Sequence, residues 1–142
     1  MALTFHPHPG TILMCNFGEG FQAPEMVKNR PVVVLSPKLK RCSGLCTVVP
    51  ISTVLPDPME KWHYKLPQAS LPNAKLFIGK QSWVKGDMIY RVSFHRLDRI
   101  RIGKDGNGKR LYFDQRLGKE QMKNIYACVL NSLNLEHLPE YL

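Results

Sequence analysis

The sequence predicts a mainly β protein completed by one C-terminal α-helix. Prolines and glycines recur along the chain, and the apolar runs between them are short and β-branched. Near the C-terminus the spacing of apolar residues lengthens from that of strands to that of a helix. A length of 142 residues suits one domain spanning 1–142. A chain of that size buries roughly two-thirds of its unfolded surface, so it folds without disulfides or a structural metal.

Each element follows from its residues. Residues 11–16 come after the Pro9-Gly10 turn and form a candidate strand. Residues 17–29 are polar and glycine-bearing, hence a loop. Pro31-Val-Val-Val-Leu35 is continuously apolar, as expected of a strand buried on both faces. Residues 45–51 form a second such run, with Pro50 expected to end it. Residues 61–66 alternate and read as a half-buried strand. One or two short strands are expected within 74–84, and another over 88–94. Residues 99–102 and 110–113 flank an Asp-Gly-Asn-Gly loop, a hairpin signal. In that hairpin Arg99 and Arg101 fall on one face, Ile100 and Ile102 on the other. Met122, Ile125, Tyr126, Val129, Leu130 and Leu133 recur at helical spacing, which predicts a helix over 118–134. Its apolar stripe is expected to cover one side of the sheet.

Composition narrows the function. No apolar run approaches the roughly 20 residues that span a bilayer, and the N-terminus lacks the pattern of a secretory signal. A cytoplasmic protein without membrane contact is expected. The net charge is +9. Residues 28–116 carry 18 basic and 6 acidic residues, while both ends are slightly acidic. Basic charge clustered this way is the footprint of a nucleic-acid binder. Cys42 and Cys46, four positions apart, match neither a redox nor a zinc-ribbon spacing, so all four cysteines read as reduced thiols. The acidic residues are dispersed and no H-x-x-x-H occurs, so neither a metal site nor a cofactor is expected.

Three clusters could carry chemistry. Arg30 sits where a polar loop enters an apolar strand, at the rim where ligands are met; the bland reading is a surface ion pair with Glu25. Ser52 and Thr53 follow an apolar strand and can donate to a phosphate, or simply satisfy their own turn. Lys85 and Asp87 project to one face if extended and can act as acid and base. Taken alone, the cluster is better explained as a solvated turn.

In order along the chain, His8-Pro-Gly-Thr-Ile, Glu25 five residues before Arg30-Pro-Val-Val-Val, Val48-Val-Pro-Ile-Ser-Thr53, and Trp83-Val-Lys-Gly-Asp87 followed by Arg96-Leu97 resemble the MazF/PemK family. These are toxin halves of bacterial toxin–antitoxin pairs. The resemblance covers about residues 8–98, and the terminal helix fits it. It implies an SH3-like small β-barrel with a terminal helix, MazF/CcdB-like and a homodimer. It implies a metal-independent endoribonuclease that inhibits growth, cuts single-stranded RNA and has a cognate acidic antitoxin. Arg30 falls on the family's active-site arginine, Ser52 on a position usually held by threonine, and Glu25 on its loop glutamate. Lys85 and Asp87 match a basic–x–acidic pair. Pro24 stands where some members carry an assisting histidine, and the hairpin at 99–113 is longer than in compact members.

These residues suit RNA transesterification, in which the 2′-hydroxyl attacks phosphorus and leaves a 2′,3′-cyclic phosphate. Arg30 would clamp the non-bridging oxygens, Ser52 or Thr53 would add a hydrogen bond, Asp87 would act as general base or orient one, and Lys85 would act as acid or as a second clamp. Glu25, Lys28, Thr53, Trp83 and Arg91 are expected to meet the substrate, with Trp83, Tyr90 and Phe94 offering rings for base stacking. A CcdB-like gyrase-binding toxin and a simple RNA-binding module are the alternatives. Neither needs Arg30, Ser52, Lys85 and Asp87 together.

Overall fold

The computed structural model describes residues 3–18, 20–41 and 44–138. The strands are β1 (Ile12–Asn16), β2 (Asn29–Val34), β3 (Leu45–Ser52), β4 (His63–Lys65), β5 (Trp83–Lys85), β6 (Tyr90–Ser93), β7 (Leu97–Asp98), β8 (Arg101–Lys104) and β9 (Arg110–Tyr112). The helix α1 (Lys119–Ser132) follows. Seven strands form one antiparallel sheet in the order β4-β5-β3-β2-β1-β7, with β6 also paired to β3. β8 and β9 form a separate hairpin. The architecture is mainly β with one C-terminal helix, as expected. The barrel does not close, because β4 and β7 end the sheet without pairing to each other.

The Val-Val-Val run of β2 is buried on both faces. Val33 joins a core with Ile12, Val49, Ile51, Val84 and Ile125. Val32 and Val34 join a second core with Leu13, Cys15, Phe17, Val48 and Val92. Successive residues of a strand face opposite ways, so a sheet packed on both sides needs an unbroken apolar run.

β3 runs through Pro50 instead of ending there. One edge of β3 pairs with β2. The other edge is divided: Leu45–Val48 pairs with β6, and Ile51–Ser52 pairs with β5. The Leu35 N–H bonds the Thr47 carbonyl, so odd-numbered backbone groups of β3 face β2. The missing N–H of Pro50 therefore faces the gap between β6 and β5, where no ladder bond is lost.

Only β5 forms within 74–84; the rest of that stretch is turns. The helix covers the sheet with only part of its stripe. Met122 and Ile125 are buried, Val129 and Leu130 half-buried, and Tyr126 and Leu133 exposed, while Cys128, outside the stripe, is buried. Gln121 accepts the Gly118 N–H at the start of α1, and Asn134 in left-handed conformation ends it, with the Leu135 N–H returning to the Leu130 carbonyl. Cys42 lies outside the described residues. Among the described residues no helix is long and apolar enough to cross a membrane.

Candidate active site

The two central strands separate at a proline. The Val34 N–H bonds Thr11 on β1 and the Leu35 N–H bonds Thr47 on β3. That alternation turns Pro31 toward β3, where it has no N–H to offer. The β2–β3 ladder accordingly stops at Val32–Pro50. Carried two residues further, the same register sets Arg30 level with Ser52. Arg30 remains anchored by its backbone, opposite Cys15 of β1.

The opening is a cleft of about 330 Å³. Arg30 and Pro31 line it from β2, Ile51, Ser52 and Thr53 from the end of β3, and Lys85 from β5. Met26, Asn29, Val54 and Leu76 complete its walls. Two cations and two hydroxyls thus converge from separate strands. The Ser52 Oγ accepts the Val54 N–H at 3.1 Å and lies 3.5 Å from the Val54 carbonyl. The hydroxyl therefore serves its own turn, and the longer contact holds its proton only weakly, leaving it able to donate.

The loop before β2 is fixed by aromatic packing. Tyr90 lies with its ring centroid 5.0 Å from Phe17 and 5.6 Å from Phe21. Its hydroxyl accepts the Met26 N–H at 2.8 Å. Lys28 turns the chain into β2 with a φ of 70°, and its carbonyl accepts the Phe17 N–H at 2.9 Å. Met26 and Asn29 are thereby held at the cleft. Nothing in the sequence singled out Met26; Asn29 could have been read from its place beside Arg30.

Several expected site residues stand elsewhere. Trp83 is 4% exposed, so its ring packs inside and cannot stack on a base. Tyr90 is committed to the Phe17–Phe21 cluster, and Phe94 packs edge-on against His6. Arg91 bonds Thr47 Oγ1 at 3.0 Å. Thr47 is five residues from Ser52 along β3, roughly 17 Å away at strand rise. Glu25 is exposed and accepts the Gln22 N–H at 3.2 Å, closing its own turn. Neither it nor Lys28 lines the cleft. Asp87 is exposed in the turn after β5 and also stands outside the lining.

Gly86 shows why that turn is built as it is. A Cβ there would lie 2.8 Å from the Cys128 Cβ and 2.9 Å from both the Cys128 backbone and the Trp62 carbonyl oxygen. The Gly86 N–H bonds that same carbonyl at 2.8 Å. The glycine lets α1 seat against the sheet, so part of Lys85-Gly86-Asp87 is packing. The three described cysteines are buried and poorly suited as nucleophiles. Burial pushes the Cys15 thiol up from 9.0 to about 12, against the pull of the Arg96 charge. Burial likewise raises Cys46 and Cys128 to about 11.

Comparison with known proteins bears on the fold and the family. The chain is 33% identical to YifN of Escherichia coli (strain K12), over 94% of this chain and 96% of YifN. It is 30% identical to a protein of Haemophilus influenzae, over 93% of each chain. Among solved structures, MazF from Deinococcus radiodurans superposes with a TM-score of 0.61 at 16% identity, covering 92% of this chain and 98% of that one. An endoribonuclease from a mycobacterial species gives a TM-score of 0.58 at 14% identity, covering 91% and 92%. At such identities these two establish the shared fold. The model of the PemK-like, MazF-like toxins matches residues 8–133, and the chain therefore belongs to that family of type II toxin–antitoxin toxins.

Proposed function

We propose that the protein is an endoribonuclease that cuts single-stranded RNA at the Arg30 cleft by 2′-hydroxyl attack. The observation that carries this is the convergence of Arg30, Lys85, Ser52 and Thr53 in one opening at the end of the sheet. Family membership supports it, as do structural neighbours that include an endoribonuclease.

The chemistry divides among those groups. The Arg30 guanidinium meets the non-bridging phosphate oxygens with a planar, permanently charged fork. Ser52 and Thr53 add neutral hydrogen bonds. The 2′-oxygen bonds to phosphorus as its proton passes to solvent base, and the bond to the 5′-oxygen breaks. The Lys85 ammonium gives that oxygen its proton and regains one from water. The products are a 2′,3′-cyclic phosphate and a 5′-hydroxyl. Asp87 is left out of this scheme, since among the described residues no carboxylate lines the cleft. The reading is metal-independent because it assigns the phosphate's charge to Arg30 and Lys85. It places the enzyme in the cytoplasm as a homodimer, restrained by an acidic antitoxin that neutralises its basic surface.

Incubation with a mixed-sequence, unstructured RNA in excess EDTA tests it. Cleavage is expected, with one fragment ending in a 2′,3′-cyclic phosphate and the other beginning with a 5′-hydroxyl. A 2′-deoxy nucleotide at the attacked position should block the cut. Loss of cleavage in EDTA, or 5′-phosphate ends, would overturn the scheme.

A further inference from the structure

A second depression adjoins the cleft. It has a volume of about 520 Å³ and shares two lining residues, Asn29 and Leu76, with the cleft. Lys75, Arg96, Arg99 and Arg101 line it, with Asp98 as the one acidic residue among the described ones. Two of the arginines are held in place. The Arg96 guanidinium lies 4.7 Å from the Phe21 ring centroid and donates to the Asn16 carbonyl at 2.9 Å. The Arg99 guanidinium lies 4.1 Å from the ring centroid of Tyr112 on β9. Ile100 is buried between the exposed Arg99 and Arg101, which fixes the face that carries them.

We propose that this trench carries the RNA strand on one side of the scissile phosphate. The inference rests on the endoribonuclease reading for the position of that phosphate. Four cations from two separate chain segments, Lys75 and the run 96–101, line one path that opens into the cleft, and a single strand presents a phosphate at every nucleotide. Guanidinium groups already stacked on rings lose less freedom on meeting a phosphate. The hairpin β8–β9 gains a role: it supplies Tyr112, which positions Arg99, while Arg101 opens the β8 strand. The register of β8 against β9 shifts between Arg101 and Gly103, the mark of a β-bulge just after Arg101.

The test is direct binding of a long, mixed-sequence 2′-O-methyl RNA, which cannot be cut by 2′-hydroxyl attack. Fluorescence anisotropy is read across a salt series for the intact protein and for two double variants. Arg99→Gln with Arg101→Gln removes two trench cations. Lys119→Gln with Lys123→Gln removes the same charge from the exposed side of α1. The trench variant should bind roughly tenfold more weakly at low salt, and its log–log salt slope should fall by about 1.4, or 0.7 per lost contact. The helix variant should keep both close to the intact protein. Equal losses in the two variants would reduce the effect to net charge and overturn the proposal. So would an unchanged slope in the trench variant, including the case in which the trench binds only an acidic polypeptide. Because the probe is not cleaved, trench-dependent binding without nuclease activity on ordinary RNA would sink the enzymatic reading and leave the trench as an RNA site.

Discussion

Lys85 and Asp87 are two residues apart, yet they belong to different places. Lys85 is half-buried on β5 and lines the cleft with Arg30, Ser52 and Thr53. Asp87 is exposed on the turn beyond. Gly86 separates them, fitted between the Trp62 carbonyl and Cys128 of α1. A pair that reads as acid and base in sequence is divided by a packing contact. Proximity along a chain constrains direction only while the strand continues, and here it ends at Lys85.

The sharpest way to probe that division is to remove charge from the cleft side. Lys85→Ala should slow single-turnover RNA cleavage by roughly 10- to 100-fold, the worth of one charged hydrogen bond. A rate within threefold of the intact enzyme would place the acid elsewhere. Next comes the separator. Gly86→Ala forces a Cβ against backbone atoms and should cost about 1–3 kcal/mol, lowering the Tm by several degrees. An unchanged Tm in a thermal melt would mean that the contact with α1 yields freely. Ser52→Ala removes a neutral donor and should slow cleavage by about fivefold. A hundredfold loss would give Ser52 a larger part than a hydrogen bond. Smallest is the turn side. Asp87→Asn should leave the rate within about twofold, as for an ordinary surface exchange. A loss as large as that of Lys85→Ala would restore Asp87 as general base and break the comparison.

Much of the fold was legible because burial dictates residue type. The Val-Val-Val run announces a strand packed on both faces, and the spacing of Met122, Ile125 and Val129 announces a helix. The hairpin was legible because its turn residues have specific conformational uses. Asp105 Oδ1 accepts the N–H groups of Asn107 and Lys109, and Gly108 takes a φ of 80°. Pro50 misled, since its cost depends on which edge of β3 lacks a partner, a property of the whole sheet. Part of the helix stripe misled too, at Tyr126 and Leu133: apolar spacing gives a face but not how much of it the sheet covers.

The site was legible in part for the same reasons. Arg30 and Ser52 were readable because a loop–strand junction and a strand end both lie at a sheet's rim, and antiparallel pairing brings those rims together. Trp83 was not, because an indole suits a core as well as a base stack and the strand's pleat decides between them. Neither was the trench. Lys75, Arg96, Arg99 and Arg101 are ordinary surface cations in sequence, and only the path of the chain between β4 and β8 brings Lys75 to the three arginines.

The central claim is that Arg30 acts on the reacting phosphate. Single-turnover cleavage of a mixed-sequence RNA in EDTA, comparing the intact protein with Arg30→Ala, tests this most directly. Arg30 is exposed at the rim, so the variant should keep its Tm. The rate should fall by at least about 100-fold, the usual scale for one lost electrostatic donor in a transition state. A folded Arg30→Ala protein that cuts at the rate of the intact enzyme would contradict the account.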